Sequence, residues 1–393
     1  MRIMTHILGS ILLVCSCGSL NAADHRIETW AEGLDLPWSL AFLPDGSALV
    51  TELGGTLRPV SAEGVVGQPL PSVPAVYFAG QGGLFDVVLH PDFENNRLVY
   101  LSYAEGRPKD NGTAVARGVY KDDTLQDVEL IFRNFSRKDT AVHYGGRLLF
   151  LEDGTLLLTT GEGFDYREAA QDTGSGLGKL LRMNDDGSPA PGNPFPESPY
   201  VYSYGHRNPQ GLALGADGVV WLHEHGPRGG DEVNRIEAGV NYGWPAITHG
   251  VDYSGAQISP YTEWEGMAQP DWQWTPSIAP SGLAVYYGEL FPEWQGDLFV
   301  GALVTELGGT LRPVSAEGVV GQPLPSVPAV YFAGQGGLFD VVLHPDFENN
   351  RLVYLSYAEG SPKDNGTAVA RGVYEGGTLQ DVELIFRNFS RKD

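Results

Sequence analysis

The sequence predicts an all-β protein, and within that class a six-bladed β-propeller. Three observations lead there. The 393 residues include 52 Gly and 27 Pro without a low-complexity tract, as expected of many short strands joined by tight turns. No long window carries the 3.6-residue period of an amphipathic helix. Finally, one kind of unit recurs: a run of alternating apolar residues, a turn rich in Asp, Gly, Asn or Pro, and a second such run, which is a hairpin by period and punctuation.

Six such hairpins can be placed in order. The first is "WSLAFLPDGSALVTEL" at 38–53, turning at Asp45-Gly46, and the second "FDVVLHPDFENNRLVYLSY" at 85–103, whose turn is read in "FENN". The third, "GGRLLFLEDGTLLLTTGEG" at 145–163, and the fourth, "QGLALGADGVVWLHEHG" at 210–226, both turn at Asp-Gly. The fifth is "SGLAVYYGELFPEWQGDLFVGAL" at 281–303, and the sixth repeats the second at 339–357. The turns lie near residues 45, 94, 153, 217, 295 and 348, at intervals of 47 to 78 residues. A sandwich would not repeat one hairpin at blade-sized intervals, whereas radially arranged four-stranded blades would.

The repetition at the end of the chain is of another kind. Ala302 to Asp393 repeats Ala48 to Asp139 over 92 positions, and only Arg107/Ser361, Lys121/Glu375, Asp122/Gly376 and Asp123/Gly377 differ. Structural repeats normally keep a pattern and let the rest drift, so this reads as a recent duplication, or an error in how the gene was read, laid over an older architecture, and it supplies the sixth hairpin. It enters about four residues late, "LFVGALVTEL" after Gly296-Asp297 against "SALVTEL" after Asp45-Gly46. An even slip keeps each side chain on its face, and the extra residues are expected in a bulge or longer loop.

Residues 1–23 read as a secretory signal peptide: Arg2, an apolar run from Ile7 to Val14, then small and polar residues through Ala23. The run is well short of the roughly 20 residues that span a bilayer. Cys15 and Cys17 both fall in this segment, so no disulfide framework is expected in residues 24–393, read as a single propeller domain of a periplasmic or secreted protein. Lipid attachment at Cys17 is the minor alternative. A net charge of −24 disfavours nucleic acid and anionic membrane surfaces as partners.

Polar residues just outside the strands are the candidates for chemistry. "HYGGRL" puts His143 before two glycines and a strand, and "TTGEGFD" puts Glu162 after the paired strand. A carboxylate beside an imidazole fixes its tautomer and raises its basicity; the alternative is a hydrogen-bonded structural histidine. In "YGHRNPQGL", Arg207 and Asn208 present a guanidinium and an amide suited to a planar anion, or else Arg207 only ties adjacent loops. "HEHGPRGGDEVN" places Gly226 and Pro227 in a loop whose carbonyls suit Ca²⁺; His223 and His225 are an alternative zinc pair lacking a third ligand. Gln81 sits between glycines that would let the backbone approach a ligand closely. "NDDG" at 184–187 reads as a plain turn, without the later ligands of a calcium loop.

Taken in order, "GQGGLFDVVLHPDF", "HYGGRL", "GEG", "QDTGSGLGKLLRMNDDGSPAPGNPF", "GHRNPQGL", "HGPRGGDEVN" and "NYGWP" resemble the soluble pyrroloquinoline quinone (PQQ) dependent aldose dehydrogenases, the glucose/sorbosone dehydrogenase-like six-bladed propellers, over roughly residues 27 to 303. The resemblance implies oxidation of an aldose at C1 to a lactone. His143 matches the general base and Glu162 the carboxylate that orients it. Gln81, Arg207 and Asn208 match residues that hold the quinone, and Gly226 and Pro227 match the carbonyls that bind Ca²⁺. The likeness implies an aldose substrate and leaves the electron acceptor unspecified.

The copied tail departs from the family. Val304 stands where a cofactor-binding lysine is expected, and the family's final-blade Arg pair has no counterpart; the second Gln of the repeat, Gln335, does not replace it. Impaired cofactor binding is the expectation. Two other readings stand beside the dehydrogenase: a Ca²⁺-dependent six-bladed lactonase, and a non-catalytic binding propeller.

Overall fold

The structure, a computed structural model, describes residues 6–7, 30–288, 294–302, 338–343, 352–361, 364–375 and 378–387. The chain falls into two compact units, one of Leu34–Ser277 and one of Met1–Gly33 with Ile278–Asp393. Both are built from β-sheet. The two-residue strand β1 (His6–Ile7) belongs to the second unit and is described there.

The Leu34–Ser277 unit holds four sheets, each formed from strands consecutive in sequence. The first is β2 (Pro37–Phe42), β3 (Ala48–Glu52) and β4 (Thr56–Val60); the second is β5 (Leu84–Leu89), β6 (Leu98–Arg107), β7 (Asp110–Lys121) and β8 (Thr124–Arg133). The third is β9 (Leu148–Phe150), β10 (Leu156–Thr160), β11 (Lys179–Met183) and β12 (Val201–Tyr204), and the fourth is β13 (Pro209–Leu214), β14 (Val220–Glu224), β15 (Asp231–Ile236) and β16 (Trp272–Trp274). Every pairing within them is antiparallel.

The tight turns form where Asp-Gly demands them. Gly46, Gly154 and Gly218 adopt φ of +84°, +81° and +78°, open to glycine at no steric cost. The preceding aspartate accepts the backbone N–H two residues on, at 3.0 Å from Ser47, 3.0 Å from Thr155 and 3.2 Å from Val219. The second hairpin differs from expectation. "FENN" is one helical turn, α1 (Phe93–Asn96), closed by Arg97 at φ +58°, because Phe93 is buried and needs the chain to coil back over the sheet.

Hydrophobic burial orders the sheets. β3, β10 and β14, each an inner strand of its sheet, are buried at every residue. Separate clusters fill the interfaces: Leu49, Leu57, Leu84 and Leu101 between the first and second sheets, Tyr100, Val115, Leu156 and Leu181 between the second and third, and Leu157, Leu180, Leu222 and Ile236 between the third and fourth. Asp86 pins three sheets at once. It accepts from Ser39 Oγ at 2.5 Å and from Leu148 N at 2.9 Å, and Arg147 Nη1 approaches it to 3.7 Å. Arg147 lies over the Trp38 ring at 4.1 Å and donates to Gln210 O at 2.7 Å, carrying the tie to the fourth sheet.

In the second unit, β17 (Pro280–Val285) pairs antiparallel with β18 (Leu298–Ala302), and β1 runs parallel to β18. The copied segment forms β19 (Leu338–Leu343), β20 (Leu352–Ser361), β21 (Asp364–Glu375) and β22 (Thr378–Arg387), one four-stranded antiparallel sheet. Its register repeats that of β5–β8: Leu338 faces Tyr357 as Leu84 faces Tyr103, and the irregularities after Val369 and Arg371 match those after Val115 and Arg117. All six expected hairpins are therefore present as paired strands. A bulge at the start of the first strand recurs at Pro37/Ser39, Leu84/Val87, Pro209/Gly211, Pro280/Leu283 and Leu338/Asp340, so the one in β17 belongs to the repeat and not to the junction of the copy. The signal peptide beyond His6–Ile7, Cys15, Cys17, Val304 and Gln335 lie outside the described residues.

Candidate functional site

His143 stands at the mouth of the third sheet, just before β9, in the left-handed region at φ +50°. A side chain costs roughly 1–2 kcal/mol there, so the surroundings must hold it. They do. Its N–H donates to Gln81 Oε1 at 2.8 Å and its Nδ1 meets Glu162 Oε1 at 3.0 Å. The following Gly145 and Gly146 have φ of +66° and +103°; a Cβ on Gly145 would lie 2.6 Å from Thr159 O and one on Gly146 2.7 Å from the Phe85 ring. "HYGG" is thus a backbone that doubles back against β10, with the imidazole at its apex.

Glu162 follows β10 and is 1% exposed. Its N–H donates to Arg207 O at 2.9 Å. With the carboxylate accepting from Nδ1–H, the basic nitrogen of His143 is Nε2. Burial lowers the His143 pKa below 6.5, partly offset by the Glu162 hydrogen bond, with the Arg207 charge lowering it further. The ring is therefore neutral at pH 7 and able to accept a proton.

Arg207 is 3% exposed and is fixed from behind by a second His–Glu pair that sequence reasoning passed over. Glu224 accepts the Arg207 N–H on Oε2 and His206 Nδ1 at 2.8 Å on Oε1, while His206 Nε2 meets Ser203 Oγ at 2.9 Å and its ring stacks on Tyr242 at 4.9 Å. Glu232, opposite Glu224 across β14–β15, is pushed up to about 8 by burial and then by the Glu224 charge. The guanidinium reaches forward: Nη1 donates to His225 O at 3.1 Å and Gly226 O at 2.6 Å, and Cζ lies 5.3 Å from the Trp244 ring and 5.9 Å from that of Tyr253. Arg207 Nε and Glu162 Oε2 are buried without a hydrogen-bond partner. Both residues line one cleft, together with Phe164, Pro227, Trp244 and Tyr253. An unpaired buried donor and acceptor at the same cleft are the expected mark of a missing polar ligand.

Six of the seven residues matched to the family, Gln81, His143, Glu162, Arg207, Asn208 and Gly226, are joined by hydrogen bonds in one network, and Pro227 lines the cleft. Asn208 Oδ1 accepts from Gly145 N at 3.4 Å and Gln210 Nε2 at 3.1 Å, and Asn208 O accepts from His225 N at 3.2 Å. Gln81 and Asn208 thus use their side-chain carbonyls to hold the His143 loop. The glycines around Gln81 serve a different purpose from the expected one: a Cβ on Gly80 would sit 2.4 Å from Ala141 O and one on Gly83 2.0 Å from Leu53 O, so the close approach is to neighbouring backbone. Gly226 N donates to Asp231 Oδ1 at 2.8 Å. His223 is fully buried beside Gly211, where a Cβ would come within 2.1 Å of the ring. Among the described residues, no group of three or more His, Cys, Asp or Glu could hold a metal ion.

The aromatic wall was not read beforehand. Phe164, at φ +69°, meets His143 edge-on at 5.4 Å and stacks on Tyr253 at 6.2 Å. Trp244 could have been found, since it lies in "NYGWP"; Tyr253, 59% exposed, sits in a loop without periodic signal.

Known proteins can now be set beside this geometry. The model of the glucose/sorbosone dehydrogenase family matches residues 34–307 and again 302–393. The aldose sugar dehydrogenase YliI of Escherichia coli strain K12 is 44% identical over 305 residues, 74% of this chain and 82% of the relative. The crystal structure of the soluble aldose sugar dehydrogenase from Escherichia coli in the apo-form superposes with TM-score 0.72 at 39% identity, covering 84% of this chain and 96% of that one. The PQQ-bound form of aldose sugar dehydrogenase from Streptomyces coelicolor gives TM-score 0.64 at 32% identity, covering 92% and 99%.

Proposed function

Because the chain belongs to the glucose/sorbosone dehydrogenase family, we propose that it oxidises aldose sugars at C1 to lactones, with PQQ as the electron acceptor and His143 as general base. The observation that carries this reading is the buried His143–Glu162 pair beside a cleft that also holds the unpartnered Arg207 Nε. The proposed architecture is a single six-bladed propeller over residues 24–393, with its sixth blade from the copied segment. The proposed location is the periplasm or exterior, after removal of residues 1–23; among the described residues no helix is long and apolar enough to cross a membrane.

PQQ, when bound, supplies a two-electron acceptor for the hydride of C1. The residues present fit such a group. Arg207, whose Nε is a charged donor without a hydrogen-bond partner, lines a cleft with Trp244 and Tyr253, which suits a planar carboxylated ring system. Gln81 and Asn208 would add their amide N–H groups. His143 Nε2 takes the proton of the anomeric hydroxyl as C1 gives up its hydrogen with the bonding pair, and the C1–O double bond closes the lactone. Glu162 stabilises the imidazolium that forms.

Calcium does not fit the arrangement seen. Gly226 O already accepts from Arg207 Nη1, and the guanidinium repels a second cation placed on the same carbonyl. No step is derived through the ion; calcium at Gly226 and Pro227 belongs to the proposal only as an ion that displaces the guanidinium. The proposal also holds that the tail weakens quinone binding, because Val304 replaces an expected lysine. Reconstitution with PQQ and glucose-dependent dye reduction tests the reading, and absence of turnover in a chain whose tail has been replaced by a family tail would overturn it.

A further inference from the structure

We infer that Lys138 is a positioning residue for His143, resting on the proposed role of His143 as base. Lys138 lies five residues ahead of His143 and is 3% exposed. Its ammonium donates to Thr140 O at 2.8 Å and Val142 O at 2.7 Å, and sits 3.4 Å from the centre of the Tyr144 ring. It therefore grips the residues on both sides of His143.

The geometry explains how this acts on the imidazole. The Val142–His143 peptide is held at both polar atoms, its carbonyl by the Lys138 ammonium and its N–H by Gln81 Oε1. A peptide plane fixed at both ends fixes φ of the residue that follows its nitrogen, here the +50° of His143. Tyr144 is anchored in turn, its OH donating to Asn111 Oδ1 at 2.7 Å and its carbonyl accepting from Thr113 Oγ1 at 2.7 Å. The lysine backbone is paired to Asn111 in both directions at 2.9 and 3.0 Å, so the ammonium pulls from a rigid base. The lysine stem passes directly over the loop that carries Glu162: a Cβ on Gly163 would lie 2.7 Å from Lys138 Cδ, and Thr140 Oγ1 donates to Gly163 O at 2.6 Å. One buried cation thus ties the base loop to the loop of its carboxylate partner. Burial, with the Arg137 charge, pushes Lys138 down to about 7 against the opposing Glu162 charge; two carbonyls and an aromatic face favour the charged form.

The test is Lys138→Met, which keeps the stem and removes the charge, beside Lys138→Ala assayed with added propylammonium chloride or 1-propanol. Two readouts are taken: ¹⁵N resonances of the His143 ring, assigned by their loss in His143→Gln, and kcat and KM of the PQQ-reconstituted enzyme. In Lys138→Met the Nδ1–H bonded to Glu162 should be lost or displaced, and kcat should fall by roughly 10- to 100-fold with KM nearly unchanged, as for a misplaced catalytic group. Propylammonium should restore both in Lys138→Ala, and propanol neither. An unaltered His143 ring signal in folded Lys138→Met, or equal rescue by propanol, would overturn the inference. If Lys138→Met does not fold, Lys138→Gln takes its place with the same readouts. If neither the reconstituted wild type nor a chain carrying a family tail oxidises sugar, the functional reading fails, while the ring resonances still decide whether Lys138 positions His143.

Discussion

The imidazole of His143 is buried yet must stay neutral, and its neighbours set the pH at which it does so. Burial and the Arg207 charge lower its pKa, while Glu162 raises it. The acid limb of kcat/KM should consequently lie below pH 6.5, activity being lost as pH falls through the folded-state pKa and His143 becomes charged. Glu162→Gln removes the partner that favours imidazolium, so that limb should move to still lower pH while kcat drops; a limb moving upward would contradict the assignment. His143→Ala should cost about 10²-fold or more in turnover, whereas a binding propeller would keep its ligand affinity. Because Arg207 fills Gly226 O, EGTA should leave the melting temperature of quinone-free protein unchanged; a fall would put an ion there instead. His143 and Glu162 were legible in sequence because each lies close to a strand end and near glycines: Gly145 and Gly146 follow Tyr144, and Gly161 and Gly163 flank Glu162. Lys138, Phe164 and Tyr253 were not, since their positions follow from loop conformations, such as the left-handed Phe164, that no periodicity encodes.

At the scale of elements, alternation located all six hairpins and Asp-Gly marked three of their turns, for a local reason: Asp45, Asp153 and Asp217 each bind the backbone two residues on. Longer-range features were hidden. The Phe93 turn coils because of burial against the sheet, and β10 is buried on both faces because the second and fourth sheets pack on either side of it. Asp86 is the sharpest case, an unremarkable letter in "LFDVVL" that joins three sheets. Asp86→Ala leaves the Leu148 N–H without its acceptor and removes the carboxylate that faces Arg147. It should lower unfolding free energy by about 3 kcal/mol or more, read by urea denaturation; a change within about 0.5 kcal/mol, typical of surface substitutions, would deny Asp86 that role.

For the molecule as a whole, the copied tail is the informative perturbation. The same residues give the same register in β5–β8 and β19–β22, so the sequence of one sheet suffices to specify its pairing. On the proposed reading, a tail without the expected lysine and arginines would lack charge-assisted partners worth about 1.5–3 kcal/mol each. Replacing residues 302–393 by the corresponding tail of the Escherichia coli relative should then tighten PQQ binding by roughly two to four orders of magnitude for two restored partners; equal affinities would show the copied tail to be harmless. The most direct test of the central claim is titration of that chimera and its His143→Ala variant with PQQ, followed by glucose and a reducible dye. The account expects both to bind the quinone, seen as quenching of Trp244 fluorescence, and only the chimera with His143 to reduce dye. Turnover that survives loss of His143, or no binding by either protein, would contradict it.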